Sequence, residues 1–134
     1  MKIRTLLAIL MFALLLGFGC ASVRQSDMLT PNFSLSKDYP NTTHAEVKKA
    51  ILEACIGRGW NVDSKTDSLI VATLHHNKER VTVHISYSKN HVKIAYKSSV
   101  NLLHEKKNGR NLIHKSYNRW VKNLEHDIKV KLLK

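Results

Sequence analysis

The most constraining feature of this chain is a pair of short links between segments of alternating polarity. Val81, Val83, Ile85 and Tyr87 alternate with Thr82, His84 and Ser86, and Val92, Ile94 and Tyr96 alternate with Lys93, Ala95 and Lys97. A period of two marks strands with one buried face. Ahead of them, Leu69 to His76 is mostly β-branched or apolar, and Trp60-Asn61-Val62-Asp63 alternates briefly. Asn77-Lys78 and Lys89-Asn90 carry turn chemistry. A tight turn at Asn77-Lys78 pairs Leu74 with Val81, Ala72 with Val83 and Ile70 with Ile85. A tight turn at Lys89-Asn90 pairs Tyr87 with Val92, Ile85 with Ile94 and Val83 with Tyr96. Every pair is apolar and on one face, and a slip by one residue would scatter them over both faces. The turns thus agree on one antiparallel meander of four strands.

Helices flank the meander. Thr43-x-x-Glu46 matches a capping box, and Val47, Ala50, Ile51, Ala54 and Cys55 recur behind it at helical spacing. This predicts a helix from Thr43 to Arg58, stopped by Gly57 and Gly59. Ile113, Tyr117, Trp120, Val121, Leu124, Ile128 and Leu132 form one apolar stripe, which predicts a second helix from Asn111 to Leu132. The expected fold is α+β, in the order α-β-β-β-β-α. It is a two-layer sandwich with both helices on one face of the sheet. Asn118 and His114 lie beside the stripe and are placed to fasten the loop Ser98 to Leu103.

The start of the chain reads as a targeting segment. Lys2 and Arg4 precede a strongly apolar run from Leu6 to Phe18. As a helix that run spans about 20 Å, short of the roughly 30 Å hydrocarbon core, so it fits a signal peptide over residues 1–19 rather than a membrane span. It ends Gly17-Phe18-Gly19-Cys20-Ala21-Ser22. This resembles the lipobox of bacterial lipoproteins, which implies acyl chains, palmitate among them, on Cys20 as the mature N-terminus. Ala21 after the Cys implies the outer membrane, periplasmic face. Three acyl chains contribute about 0.8 kcal/mol per buried CH₂, enough for lasting attachment.

Residues 20–36 are polar, contain Pro31 and read as a flexible tether reaching roughly 20–25 Å. Phe33 and Leu35 alternate with polar neighbours, so this end also fits an added edge strand. Residues 37–134 form the expected domain. With Cys20 lipidated, Cys55 has no partner and is expected to be a buried, inert thiol.

Gly59-Trp60, Ile85-Ser86-Tyr87, Ile94-Ala95-Tyr96 and Ile113-His114-x-x-Tyr117-Asn118-x-Trp120-Val121-x-x-Leu124 resemble a group of small bacterial lipoproteins of uncharacterised function. The resemblance covers residues 45–132 and implies a lipid-anchored domain facing the periplasm. It brings no activity with it.

Candidate chemistry is thin. There is no Gly-rich phosphate loop, zinc Cys pair or G-x-S-x-G elbow. His75 and His76 point to opposite faces of a strand, and His114 has Asn118 at i+4 where a zincin has His. Carboxylates are few, and Asp127 with His126 reads as a solvated face. We therefore expect no enzyme, no metal and no cofactor.

Three readings of function remain. The first is a lipid-anchored binding or assembly module that contacts another envelope protein. Its surface is the outer sheet face around Val71 and His84. The second is a binder of anionic envelope material, such as lipid head groups or lipopolysaccharide, through Lys93, Lys97, Arg119 and Lys122. The third, a hydrolase or metal-handling enzyme, has the least support. The net charge of +12 would ordinarily suggest nucleic acid. However, residues 20–88 hold 8 basic and 7 acidic residues, whereas residues 89–134 hold 12 and 3. The excess is a basic flank on a membrane-tethered domain, which requires no nucleic acid.

Overall fold

The computed structural model describes residues 24–133. The apolar run and Cys20 lie outside the described residues. In chain order the elements are β1 (Gln25–Asp27), β2 (Asn32–Ser34), α1 (His44–Gly57), β3 (Asn61–Lys65) and β4 (Leu69–His76). They continue with β5 (Glu79–Tyr87), β6 (His91–Val100), β7 (Glu105–Lys107), β8 (Arg110–His114) and α2 (Lys115–Leu132). The protein is α+β, with two helices and two antiparallel sheets among the described residues. One sheet has the order β2-β6-β5-β4-β3 and the other β1-β8-β7.

Helix α1 begins as its sequence dictates. The Thr43 hydroxyl accepts from the Glu46 N–H at 3.2 Å, and the Glu46 carboxylate accepts from the Thr43 N–H at 2.7 Å. The helix stops at Gly59, whose φ of +77° is open to glycine at little cost. There Trp60 N–H donates to Cys55 C=O at 2.9 Å and Gly59 N–H to Ile56 C=O at 3.1 Å. This pattern closes the last turn as a Schellman motif.

The strand register is the one the turns imply. Leu74, Ala72 and Ile70 face Val81, Val83 and Ile85, and Tyr87, Ile85 and Val83 face Val92, Ile94 and Tyr96. Ile70, Ala72, Val81, Val83, Ile85, Val92 and Ile94 are buried, in one cluster with the α1 residues Val47 and Ile51 and the α2 residues Tyr117, Val121 and Leu124. Beyond Val83 the ladder shifts. Thr82 pairs with Ser98, so Lys97 is the extra residue of a bulge.

Two expectations change. First, residues 24–36 are not a free tether. Asn32–Ser34 pairs antiparallel with His91–Lys93, Phe33 opposite Val92, and covers the otherwise open edge of β6. Leu35 is 0% exposed, so a large apolar side chain fixes this segment to the core. Gln25–Asp27 pairs with Leu112–His114. The folded unit therefore reaches back to residue 24, ahead of the expected boundary at 37.

Second, residues 111–114 are strand, not helix. The turn Asn108-Gly109, with φ of 51° and 74°, joins β7 to β8 in a tight hairpin. Ile113 is buried from the strand, and α2 starts only after His114, whose Nδ1 accepts from Ser116 N–H at 3.1 Å.

Candidate functional site

The outer face of the larger sheet carries the first group of candidate residues. His84 faces Val71 on β4 and Ala95 on β6, as alternation requires. All three are half-buried. One row away, Ser86 lies between Leu69 and Lys93, and Lys93 faces Asn32 of β2. On the other side the face is polar and internally bonded. Thr73 Oγ1 donates to Asp63 Oδ2 at 2.5 Å and lies 2.8 Å from Thr82 Oγ1, and Asn61 Nδ2 donates to Asp63 Oδ1 at 2.9 Å. These bonds satisfy Thr73, which is only 7% exposed. Lys97 sits at the bulge and does not continue the row of Lys93 and Ala95.

Next to Lys93 the outer face runs into a groove of 400 Å³. Its walls include Met28, Thr30, Lys93, Ala95, His104 and Lys106. His104 lies against the Tyr96 ring, centroids 4.5 Å apart. The lining is cationic and apolar, without a carboxylate. It joins the sheet face to the β7–β8 hairpin, which sequence reasoning missed. The Asn108-Gly109 dipeptide was the available signal, but the Glu105–Lys107 strand before it is fully exposed and offers no apolar alternation.

Arg119 and Lys122 belong to a different surface. With Ser26, Lys115, Asn118 and Asn123 they line a groove of 380 Å³ along the start of α2. Val71, His84 and Lys93 take no part in it, and Lys97 lines neither groove, so the six candidate residues do not form one surface.

Asn118 has a role other than the expected one. Its Oδ1 accepts from Leu29 N–H at 3.0 Å, and its Nδ2 donates to Ser26 Oγ and Asp27 C=O, both at 2.8 Å. It fastens the first strand, not the loop 98–103. That loop is held instead by His114 N–H donating to Leu102 C=O at 2.8 Å. Arg110 adds a two-pronged pair to Asp27, both bonds 2.8 Å, which holds the Asp27 carboxyl below its ordinary range.

Arg58, Asp127 and Cys55 lie apart from both grooves. Arg58 at the end of α1 donates to Asp127 of α2 at 2.6 and 3.1 Å. Asp127 is thus a tie between helices rather than part of a solvated face, and its pKa is lowered mainly by that bond. Cys55 is fully buried, with its thiol pushed up to about 12 by desolvation. A thiol so placed is no nucleophile. Among the described residues no three His, Cys, Asp or Glu side chains gather as a metal site.

The fold and these surfaces define a small α+β protein with concave, cationic grooves. No protein family, curated protein or solved structure matches the chain.

Proposed function

We propose that the protein is a lipid-anchored envelope protein, attached through Cys20 at the periplasmic face of the outer membrane, and that it acts as a non-enzymatic binding module. The apolar run ending at Cys20, and the resemblance to small bacterial lipoproteins, support the anchor. In this reading both helices form one layer against the inner face of β3 to β6, a two-layer sandwich. The outer face is left for another envelope protein.

The observation that carries the binding reading is the continuity of the half-buried patch Val71, His84 and Ala95 with the groove at Lys93, His104 and Lys106. A concave, partly apolar surface with a few cationic groups is the usual form of a recognition site. The buried, high-pKa Cys55 argues against thiol catalysis.

The test places a photo-crosslinking aromatic residue at His84 in intact cells. A single discrete adduct is expected, and it should disappear when Val71→Lys is added. The same probe at exposed Lys49 of α1 should give none. No adduct from position 84, or the same adduct from both positions, would sink the reading.

A further inference from the structure

We propose that the groove beside α2 binds the phosphate head groups of anionic lipid in the leaflet that holds the acyl chains of Cys20. The inference rests on the lipid-anchor reading above and adds the surface that meets the membrane.

Lys115, Arg119 and Lys122 stand at i, i+4 and i+7 of α2, which sets their side chains on one helix face. All three line the same groove. None forms an ion pair among the described residues. The acids of β1 and α2 are engaged elsewhere. Asp27 is held by Arg110, Glu125 by Lys129 at 2.6 Å, and Asp127 by Arg58. Ser26 and Asn123 add polar donors to the lining. Uncompensated ammonium groups, a guanidinium fork and neutral donors around one concavity suit a phosphate oxyanion.

Position selects the source of the phosphate. Lys115 N–H donates to Arg24 C=O at 2.9 Å, so the chain reaches the groove at Arg24. Cys20 precedes Arg24 by four residues. Four extended residues span at most about 14 Å. The head-group zone of one leaflet is roughly 5–8 Å deep. Acyl chains on Cys20 therefore hold Arg24, and the groove beside it, no more than about 10 Å beyond the head groups, within docking reach, and lipid charge decides whether the groove docks. A tether ending at residue 36 would have left the domain free to turn away. The pinned first strand shortens the free link from sixteen residues to four.

The test uses the processed protein carrying a fluorophore on His126→Cys, exposed one turn past Lys122 and outside the groove lining, since buried Cys55 does not compete for label. It is reconstituted in phosphatidylcholine vesicles with or without about 30 mol % phosphatidylglycerol, containing lipid with a nitroxide on the head group. Quenching is expected with phosphatidylglycerol, and it should weaken between about 50 and about 500 mM NaCl. At about five-fold per basic residue near an anionic surface, Lys115→Gln, Arg119→Gln and Lys122→Gln together should lower the docked-to-undocked ratio about 100-fold. The remote set Lys65→Gln, Lys78→Gln and Lys89→Gln should leave it unchanged.

Equal quenching in both vesicle types, or equal loss from both triple variants, overturns the proposal. So does relief of quenching by millimolar inorganic phosphate at constant ionic strength, which would make the groove a site for a soluble anion. Acylation of Cys20 is read separately from the mass of the processed N-terminus. A protein without acyl chains defeats the anchor reading, while the same quenching comparison on added protein still decides the groove.

Discussion

Replacing Asn118 with Ala should loosen the first strand without disturbing the core. The side chain makes three hydrogen bonds, to Leu29 N–H, Ser26 Oγ and Asp27 C=O, over sequence separations of 89, 92 and 91. The bonds to Leu29 and Ser26 are partly shielded from water, and the one to Asp27 is exposed. A shielded bond contributes about 1 kcal/mol net, and an exposed one less. The expected loss is therefore about 2 kcal/mol, close to a 30-fold fall in the folded-to-unfolded ratio. For a unit of roughly 110 residues, at about 4 °C per kcal/mol, Tm should drop by about 8 °C. Urea unfolding followed by circular dichroism measures the first number and a thermal melt the second. Hydrogen exchange adds a local reading, because the Leu29 amide should lose protection before the β5 amides do. Asn123→Ala is the control. It lies on the same helix, and its expected effect is within about 0.5 kcal/mol. Equal stabilities for the two variants would show that the first strand is not held through Asn118.

Leu35→Ala should cost about 3 kcal/mol in urea unfolding, because the side chain is fully buried, whereas a residue in a free tether would cost nothing. Tyr117→Phe should leave stability unchanged or raise it by about 1 kcal/mol. The buried Tyr117 hydroxyl has no hydrogen-bond partner among the described residues, so a clear loss would reveal one. Asp127 has a folded pKa below its ordinary 3.8, so its contribution is present above pH 3.8 and is lost as pH falls through the folded value. Denaturation midpoints measured from pH 6 down to about pH 2.5 should converge for the wild type and Asp127→Asn, and parallel curves would refute the tie to Arg58.

The strand register at the two turns was legible because its information is local. The turn residues and an unbroken period of two determine the pairing of Ile70, Ile85 and Ile94 without knowledge of anything distant. The first strand was not legible for the opposite reason. Gln25, Ser26 and Asp27 are polar, show no alternation, and have side chains held by partners 78 to 92 positions away. The start of α2 was misread because Ile113 and Tyr117 satisfy a helical spacing of four while Ile113 is in fact buried from a strand. Periodicity alone does not separate these cases, whereas Asn108-Gly109 does. Of the candidate surfaces, Val71 and His84 were placed correctly by alternation. The separation of Arg119 and Lys122 from them depends on how α2 packs.

The pairing of β1 with β8 also orders events during folding. Asp27 meets Arg110 across 83 positions and Ser26 meets Asn118 across 92. Closing so long a loop is slow compared with forming the hairpins between β3 and β6. The sheet can assemble from its own turns, but the first residues of the domain have nothing to pair with until the last strand and helix exist. The basic groove, which needs both Ser26 and Lys115, is thus completed last. In a chain held at its N-terminus, the end made first would be the end finished last, and a truncated or nascent chain would lack the groove.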